Sequence, residues 1–303
     1  MCQYTIKLIA PIIIVALGCD GTLYVVARDA SLDTDSDGDS DTGTGTETDV
    51  PTDNDTDTNT DFVDWVIVPG GTYLMGSVSN EDHPEQLPIH EVEVDTFEIA
   101  HTETTVFQYQ ECFLSGGCLE EPKVGDLFNW GEEGRGNHPI NGVTWFQARA
   151  FCEWVGGRLP SEAEWEFIAR SGGQEIIYPW GNDAPDCEYA VMDEDGPGTG
   201  YSGCEENGTS EICSCPLGGT TNTAPEICDL SGNLWEWVED NWHDNYEGAP
   251  DSGISWIDEG NEERVVRGGS FGIYQTDVGM PGRYRDSAPE NEAYNVLGFR
   301  CAR

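Results

Sequence analysis

Sulfur is the chemistry this sequence offers most of, with eleven cysteines in 303 residues. Cys112 and Cys118 bracket Phe-Leu-Ser-Gly-Gly and are close enough to bond locally. Cys187, Cys204, Cys213, Cys215 and Cys228 crowd one region, with only Ser214 between two of them. That pattern reads as a disulfide cluster rather than a zinc site, because the spacing is not Cys-x-x-Cys and an exported chain favours bridges. Five is odd, so one thiol stays free or pairs with another chain. The histidines are His83, His90, His101, His138 and His243, and no two stand at metal-ligand spacing on a helix. Iron held by them would need three to converge by chance. Ser270 follows two glycines but lacks the Gly-x-Ser-x-Gly elbow of a serine nucleophile. The run Asp35 to Asp41 looks like a calcium loop, yet position twelve is Thr46 where an EF-hand needs Glu.

The formal net charge of -45 sets up a field that repels nucleic acid, so no nucleic-acid partner is expected. The cysteine load belongs to an oxidising compartment, and the N-terminus agrees. Lys7 is followed by an apolar run too short to span a bilayer, then by Ala16-Leu17-Gly18-Cys19. Residues 1–19 therefore read as a signal peptide with a lipobox, with Cys19 the lipidated residue. From Asp33 to Asp61, eleven of 29 residues are acidic and none is basic. Such a stretch cannot bury enough surface to offset its ordering entropy, so 20–61 reads as a disordered acidic stalk. These features place the protein in the cell envelope, tied to a membrane through a lipid anchor.

Residues 62–303 form one domain, and its elements are short. Val66 to Met75 reads as strand, turn, strand, and His90 to Ile99 alternates as one half-buried strand. Thr144 to Val155 carries Ala148, Phe151, Cys152 and Val155 at helical spacing, stopped by Gly156-Gly157. Pro160-Ser161-Glu162-Ala163-Glu164 starts another helix, with Ser161 and Glu164 as a capping box. Beyond Arg170, Gly, Pro, Asn and Asp dominate, which means irregular backbone held by aromatics, disulfides or metal.

Several strings carry a resemblance. They are Gly157-Arg158-Leu159-Pro160-Ser161-Glu162-Ala163-Glu164-Trp165-Glu166, Pro179-Trp180-Gly181-Asn182, Asp229-Leu230-Ser231-Gly232-Asn233-Leu234-Trp235-Glu236-Trp237, Arg267-Gly268-Gly269-Ser270-Phe271 and Gly298-Phe299-Arg300-Cys301-Ala302. In this order they resemble the formylglycine-generating enzyme, or sulfatase-modifying factor, family. The resemblance implies an α+β fold of low regularity, related to C-type lectin domains. It also implies a pair of thiolates holding Cu(I) just after the Gly-Gly-Ser string, soft ligands suited to that ion. Here Ile273 stands at the first thiolate position and Pro281 near the second, and no cysteine lies between Cys228 and Cys301. Copper of that type is not expected.

The resemblance further implies a Cys152–Cys301 disulfide and a structural Ca²⁺. The ion would be held by the carbonyls of Asp229, Gly232 and Leu234 and the carboxylate of Glu236, hard oxygen ligands on an irregular loop. Trp235, Trp237, Ser270, Arg283 and Tyr284 are candidates for lining the family's groove, with core packing the competing reading for the two tryptophans. The functional expectation is a non-oxidase binding or structural envelope module, taking a peptide, a glycan or an envelope protein as ligand. The alternative is an oxidoreductase of the same superfamily, including its non-haem metal enzymes, with a rebuilt active site.

Overall fold

The computed structural model describes residues 14–17, 23–26, 62–78, 83–194, 203–204, 206–274 and 280–303. The chain divides into two compact units, Met1–Asp55 and Thr56–Arg303. In the first, β1 (Ile14–Leu17) pairs antiparallel with β2 (Leu23–Val26). Cys19 lies outside the described residues, and of the stalk read over 20–61 only β2 is described, as a strand. Among the described residues no helix is long and apolar enough to cross a membrane.

The second unit opens with β3 (Trp65–Val68) and β4 (Gly71–Met75). These two do not form a hairpin with each other, as the strand-turn-strand reading suggested. The expected single strand from His90 to Ile99 is instead two, β5 (His90–Val94) and β6 (Phe97–Ala100). β3 pairs with β6 and β4 with β5 in one shared antiparallel register. The break falls at Pro69-Gly70, where Pro69 has no N–H to donate. A Cβ on Gly70 would lie 2.3 Å from the Val94 carbonyl oxygen, so only glycine lets the two chains cross there.

Three helices follow: α1 (Val106–Ser115), α2 (Trp145–Trp154) and α3 (Glu162–Ala169). Each begins with a complete capping box, Thr105/Gln108, Thr144/Gln147 and Ser161/Glu164. The sequence reading found α2 and α3 but not α1. β7 (Trp235–Asn241), β8 (Glu263–Arg267), β9 (Arg285–Pro289) and β10 (Leu297–Gly298) make one sheet in the order β10-β7-β8-β9. β10 runs parallel to β7 and the other neighbours are antiparallel.

Two apolar cores flank this sheet. One gathers Tyr109, Trp145, Phe151, Trp237 and Phe299, and the other Val92, Ile99, Trp165, Phe167 and Val265. Cys152 on α2 is bonded to Cys301 at the C-terminus, and Cys112 to Cys118 beyond the end of α1. Three helices, short strands and long loops make an α+β fold of low regularity.

Charge is buried along with the apolar residues. Glu162, Glu166 and Arg170 repeat at i, i+4, i+8, so they share one face of α3. That face turns inward. Arg267 on β8 donates Nη2 to Glu166 Oε2 at 2.6 Å, and Arg285 on β9 donates Nη2 to Glu162 Oε2 at 3.0 Å. Gly76 N–H and Arg170 Nη1 complete the Glu166 carboxylate at 2.9 and 3.1 Å. Paired in this way, buried ions avoid the penalty an isolated charge would bring.

Candidate functional site

The loop from Asp229 to Leu234 turns tightly before β7. Asp229, Gly232 and Asn233 all take positive φ, at 57, 84 and 58°. Gly does so freely, and Asp and Asn tolerate it because their short polar side chains bond locally. Asn233 Nδ2 donates to Glu103 Oε2 at 2.7 Å and Leu234 N–H to Glu103 Oε1 at 3.0 Å. Asp229 Oδ2 accepts the Cys213 N–H at 2.7 Å.

Glu103, Asp229 and Glu236 are buried in this neighbourhood, and the one guanidinium facing all three is Arg300. Burial, then the charges of Asp229 and Glu236, hold the Glu103 carboxyl well above the usual carboxylate range. Burial likewise pushes Asp229 up to about 6. Glu236 is fully occupied: Arg300 Nη2 donates to Oε1 at 2.6 Å, Arg300 Nε spans both oxygens, and the Trp165 indole N–H donates to Oε2 at 2.8 Å.

The main-chain carbonyls of Asp229, Gly232 and Leu234 receive no hydrogen bond from the described residues. Buried carbonyls are rarely left so. Three unbonded carbonyls beside surplus buried carboxylate fit a hard divalent cation. Glu236, committed to Arg300, supplies negative charge to that neighbourhood. Glu103 was missed by sequence reasoning. The only sequence signal near it is the capping threonine two residues on, which marks a helix start and not an acid site.

The second feature is the surface around position 273. Ser270 is only 1% exposed, and its carbonyl accepts the Ile273 N–H at 2.9 Å. Ile273 is half-buried and packs against both the Trp145/Trp237 core and a small cluster of Ala190, Met192 and Met280. Tyr178, Trp180 and Cys204 pack on that same small cluster. The Tyr178 and Trp180 rings stack at 4.9 Å, and Tyr189 lies 5.1 Å from Trp180. All three are half-buried.

Tyr284 packs on the Trp145/Trp237 core as well and lies against Trp235 at 5.9 Å and His83 at 5.3 Å. Burial, with Asp286 and Glu85 nearby, raises the Tyr284 phenol. Arg283 pairs with Glu175 at 2.8 Å. Of the groove candidates, Arg283 and Tyr284 are half-buried. Trp235 is 9% exposed, and Ser270 and Trp237 are inside. Trp237 donates its indole N–H to the Val143 carbonyl at 3.1 Å and belongs to the core, the competing reading given for it above. Pro281 is half-buried, and 275–279 between it and Tyr274 lie outside the described residues.

The cysteine-rich segment resolves into Cys187–Cys204 and Cys213–Cys228, with Cys215 the free thiol among the described residues. Burial, then Asp229, pushes the Cys215 thiol up to about 11, so it is a poor nucleophile.

The Sulfatase-modifying factor enzyme 1-like domain matches residues 50–303. The formylglycine-generating enzyme of Mus musculus is 30% identical over 294 residues, covering 78% of this chain and 74% of the mouse protein. Serine/threonine-protein kinase pkn1 of Chlamydia caviae is 28% identical over 258 residues, and the chain spans 38% of that protein's length. Among solved structures, PvdO from Pseudomonas aeruginosa shares the fold, with a TM-score of 0.65 at 24% identity over 79% of this chain and 93% of that one. With the family's domain matched across most of its length, this chain belongs to the sulfatase-modifying factor, or formylglycine-generating enzyme, family.

Proposed function

We propose that the domain is a non-oxidase member of its family, a binding module presented from the cell envelope by a lipidated stalk. The observation that carries this reading is Ile273. A branched alkyl side chain stands where the family needs the first thiolate, and no cysteine lies between Cys228 and Cys301 to replace it. Without two thiolates there is no soft seat for Cu(I). What remains is a half-buried isoleucine that shares a small apolar cluster with the Tyr178 and Trp180 rings, Tyr189 lying against Trp180, while Tyr284 packs on the larger core that Ile273 also touches. Rings with an apolar body and a polar tip suit an extended peptide or a glycan. Ca²⁺ held on the Asp229–Leu234 carbonyls would fix the loop that enters β7.

The test is direct. Purified domain, supplied with Cu(I), oxygen and a Cys-x-Pro-x-Arg peptide, should leave the peptide cysteine unchanged by mass spectrometry. Conversion to formylglycine ends the non-oxidase reading. Retention on a glycan or peptide array that disappears in Trp180→Ala supports the binding role.

A second reading is favoured by one contact. Cys204, bonded to Cys187, packs on the same small cluster as Ile273. An oxidoreductase with a rebuilt centre would use that pair. A reaction on the peptide cysteine that is lost in Cys187→Ser/Cys204→Ser would select it.

A further inference from the structure

His101, Cys213 and Cys228 come from three separate segments, and their ligand atoms lie within 4.8 Å of one another. His101 follows β6, Cys213 sits in the cysteine-rich loop and Cys228 precedes the Asp229 turn. The two sulfurs are bonded to each other. His101 Nε2 approaches the Cys228 sulfur at 3.5 Å. The other ring nitrogen, Nδ1, is 3.7 Å from the Asp64 carboxylate. The main chain holds the group together, with His101 N–H donating to the Asp64 carbonyl at 2.8 Å and Cys228 N–H to the His101 carbonyl at 3.1 Å.

We propose that this is a thiol-gated metal site: once the Cys213–Cys228 bond is reduced, the two sulfurs and His101 Nε2 take up Zn²⁺. Bond lengths of about 2.3 Å to sulfur and 2.05 Å to nitrogen, at the tetrahedral angle, set a nitrogen-to-sulfur edge of about 3.6 Å. The His101–Cys228 separation already matches that edge. The exposed Asp64 carboxylate, 3.7 Å from Nδ1, needs only a small side-chain rotation to make the hydrogen bond that orients a metal-bound histidine. A cavity of about 270 Å³, lined in part by Asp64, His101, Thr102 and Ile212, opens on the histidine side of the group.

The step balances with an external dithiol as reductant. The disulfide gains two electrons and two protons to become two thiols, while the dithiol loses the same and closes its own disulfide. Zn²⁺ then displaces the two thiol protons, and neutral His101 adds its nitrogen lone pair. A single thiol such as Cys215 could only exchange with the disulfide and not reduce it, so the two electrons have to come from outside.

The experiment uses the full domain carrying Cys215→Ser, reduced anaerobically with a dithiol, freed of it and titrated with Co²⁺ as the spectroscopic stand-in for Zn²⁺. One equivalent should bind, with tetrahedral d–d bands and a thiolate-to-cobalt charge-transfer band that the oxidised protein lacks. Zn²⁺ should bleach both. Cys187→Ser/Cys204→Ser should keep the signal, and Cys213→Ser/Cys228→Ser should abolish it. His101→Gln, which retains the disulfide, should weaken binding at least tenfold, and Asp64→Asn by about tenfold. The proposal is overturned if reduced protein takes up no Co²⁺. It is equally overturned if uptake is the same in His101→Gln, a reading that holds even where the cysteine pair variant fails to fold.

Discussion

Arg300 lays its guanidinium along the Glu236 carboxylate, Nη2 to Oε1 at 2.6 Å, with both side chains fully buried. The remaining Arg300 donor capacity goes to main-chain carbonyls, including that of Cys228 at 2.8 Å. One residue thus joins β7, the chain that follows β10 and the segment that carries the Cys213–Cys228 disulfide. Its charge also acts on the buried carboxyls of Glu103 and Asp229. Arg300→Met should therefore cost about 3–5 kcal/mol, because it strands buried carboxylate and does not merely delete a contact. Glu236→Leu combined with Arg300→Met should recover part of that loss. Urea denaturation of the three variants checks this. Equal stability of Arg300→Met and the parent domain would show that the pair is not what holds this region.

That pair also shows how far the sequence could be read. The strings around Glu164, Glu236, Arg267 and Arg300 identify the family, yet they look like a list of site residues. In the structure most of their charged members neutralise each other, Arg158 with Glu164, Glu166 with Arg267 and Glu236 with Arg300, while Glu162 meets Arg285 from outside the strings. Which carboxylate meets which guanidinium depends on the path of β7, β8 and β9, and nothing in residue spacing encodes that. α2 and α3 were legible because cap and apolar period agree. α1 was not, although Thr105 and Gln108 spell the same capping box. Its apolar residues include exposed Phe107 and Leu114, which blur the period. The ribbon of β3 to β6 was legible as strands but not as pairs, since its break at Pro69-Gly70 reads equally well as a hairpin turn.

If the loop before β7 carries Ca²⁺, chelation has a measurable consequence. The native domain should contain one Ca²⁺ per chain by elemental analysis. An ion present at a hundred times its dissociation constant stabilises by about 2.7 kcal/mol. For a domain of this size, its removal by EGTA should lower Tm by roughly 5–10 °C, reversed by Ca²⁺ and not by Mg²⁺. Glu103→Gln, which removes the negative charge Glu103 can take up once a cation is bound beside it, should raise the Ca²⁺ concentration needed for that recovery. A Tm indifferent to EGTA would rule the ion out as a structural element.

Asp240 gives the domain a specific pH response. It is buried beside Glu162, and it accepts the main-chain N–H of Glu162 at 2.7 Å and of Trp256 at 2.8 Å. Burial first, and the Glu162 charge second, raise its carboxyl from 3.8 to about 7. A raised acid holds its proton more tightly in the fold than in the unfolded chain. Stability from this group is therefore full below the unfolded value and falls as pH rises through the window from about 4 to about 7. The urea midpoint should decline from pH 5 to pH 8, and the decline should be shallower in Asp240→Asn. An unchanged slope in that variant would assign the pH dependence to other groups.

The two cysteine pairs outside the cysteine-rich segment differ in what they constrain, and that difference can be measured. Cys152–Cys301 closes a loop of 149 residues, whereas Cys112–Cys118 closes one of 6. In the chain-entropy treatment, loop closure is worth about 5 kcal/mol for the first and about 2 kcal/mol for the second. Both bridges are buried in the same core, so each removal also leaves space there and loop length is what separates them. Cys152→Ala/Cys301→Ala should accordingly lose at least twice the stability lost by Cys112→Ala/Cys118→Ala in urea denaturation. The larger loss should appear with an increased m-value, because the unfolded chain, freed of its long loop, exposes more surface. Equal losses from the two pairs would mean that native-state packing, and not the constraint on the unfolded chain, sets the contribution of each bridge.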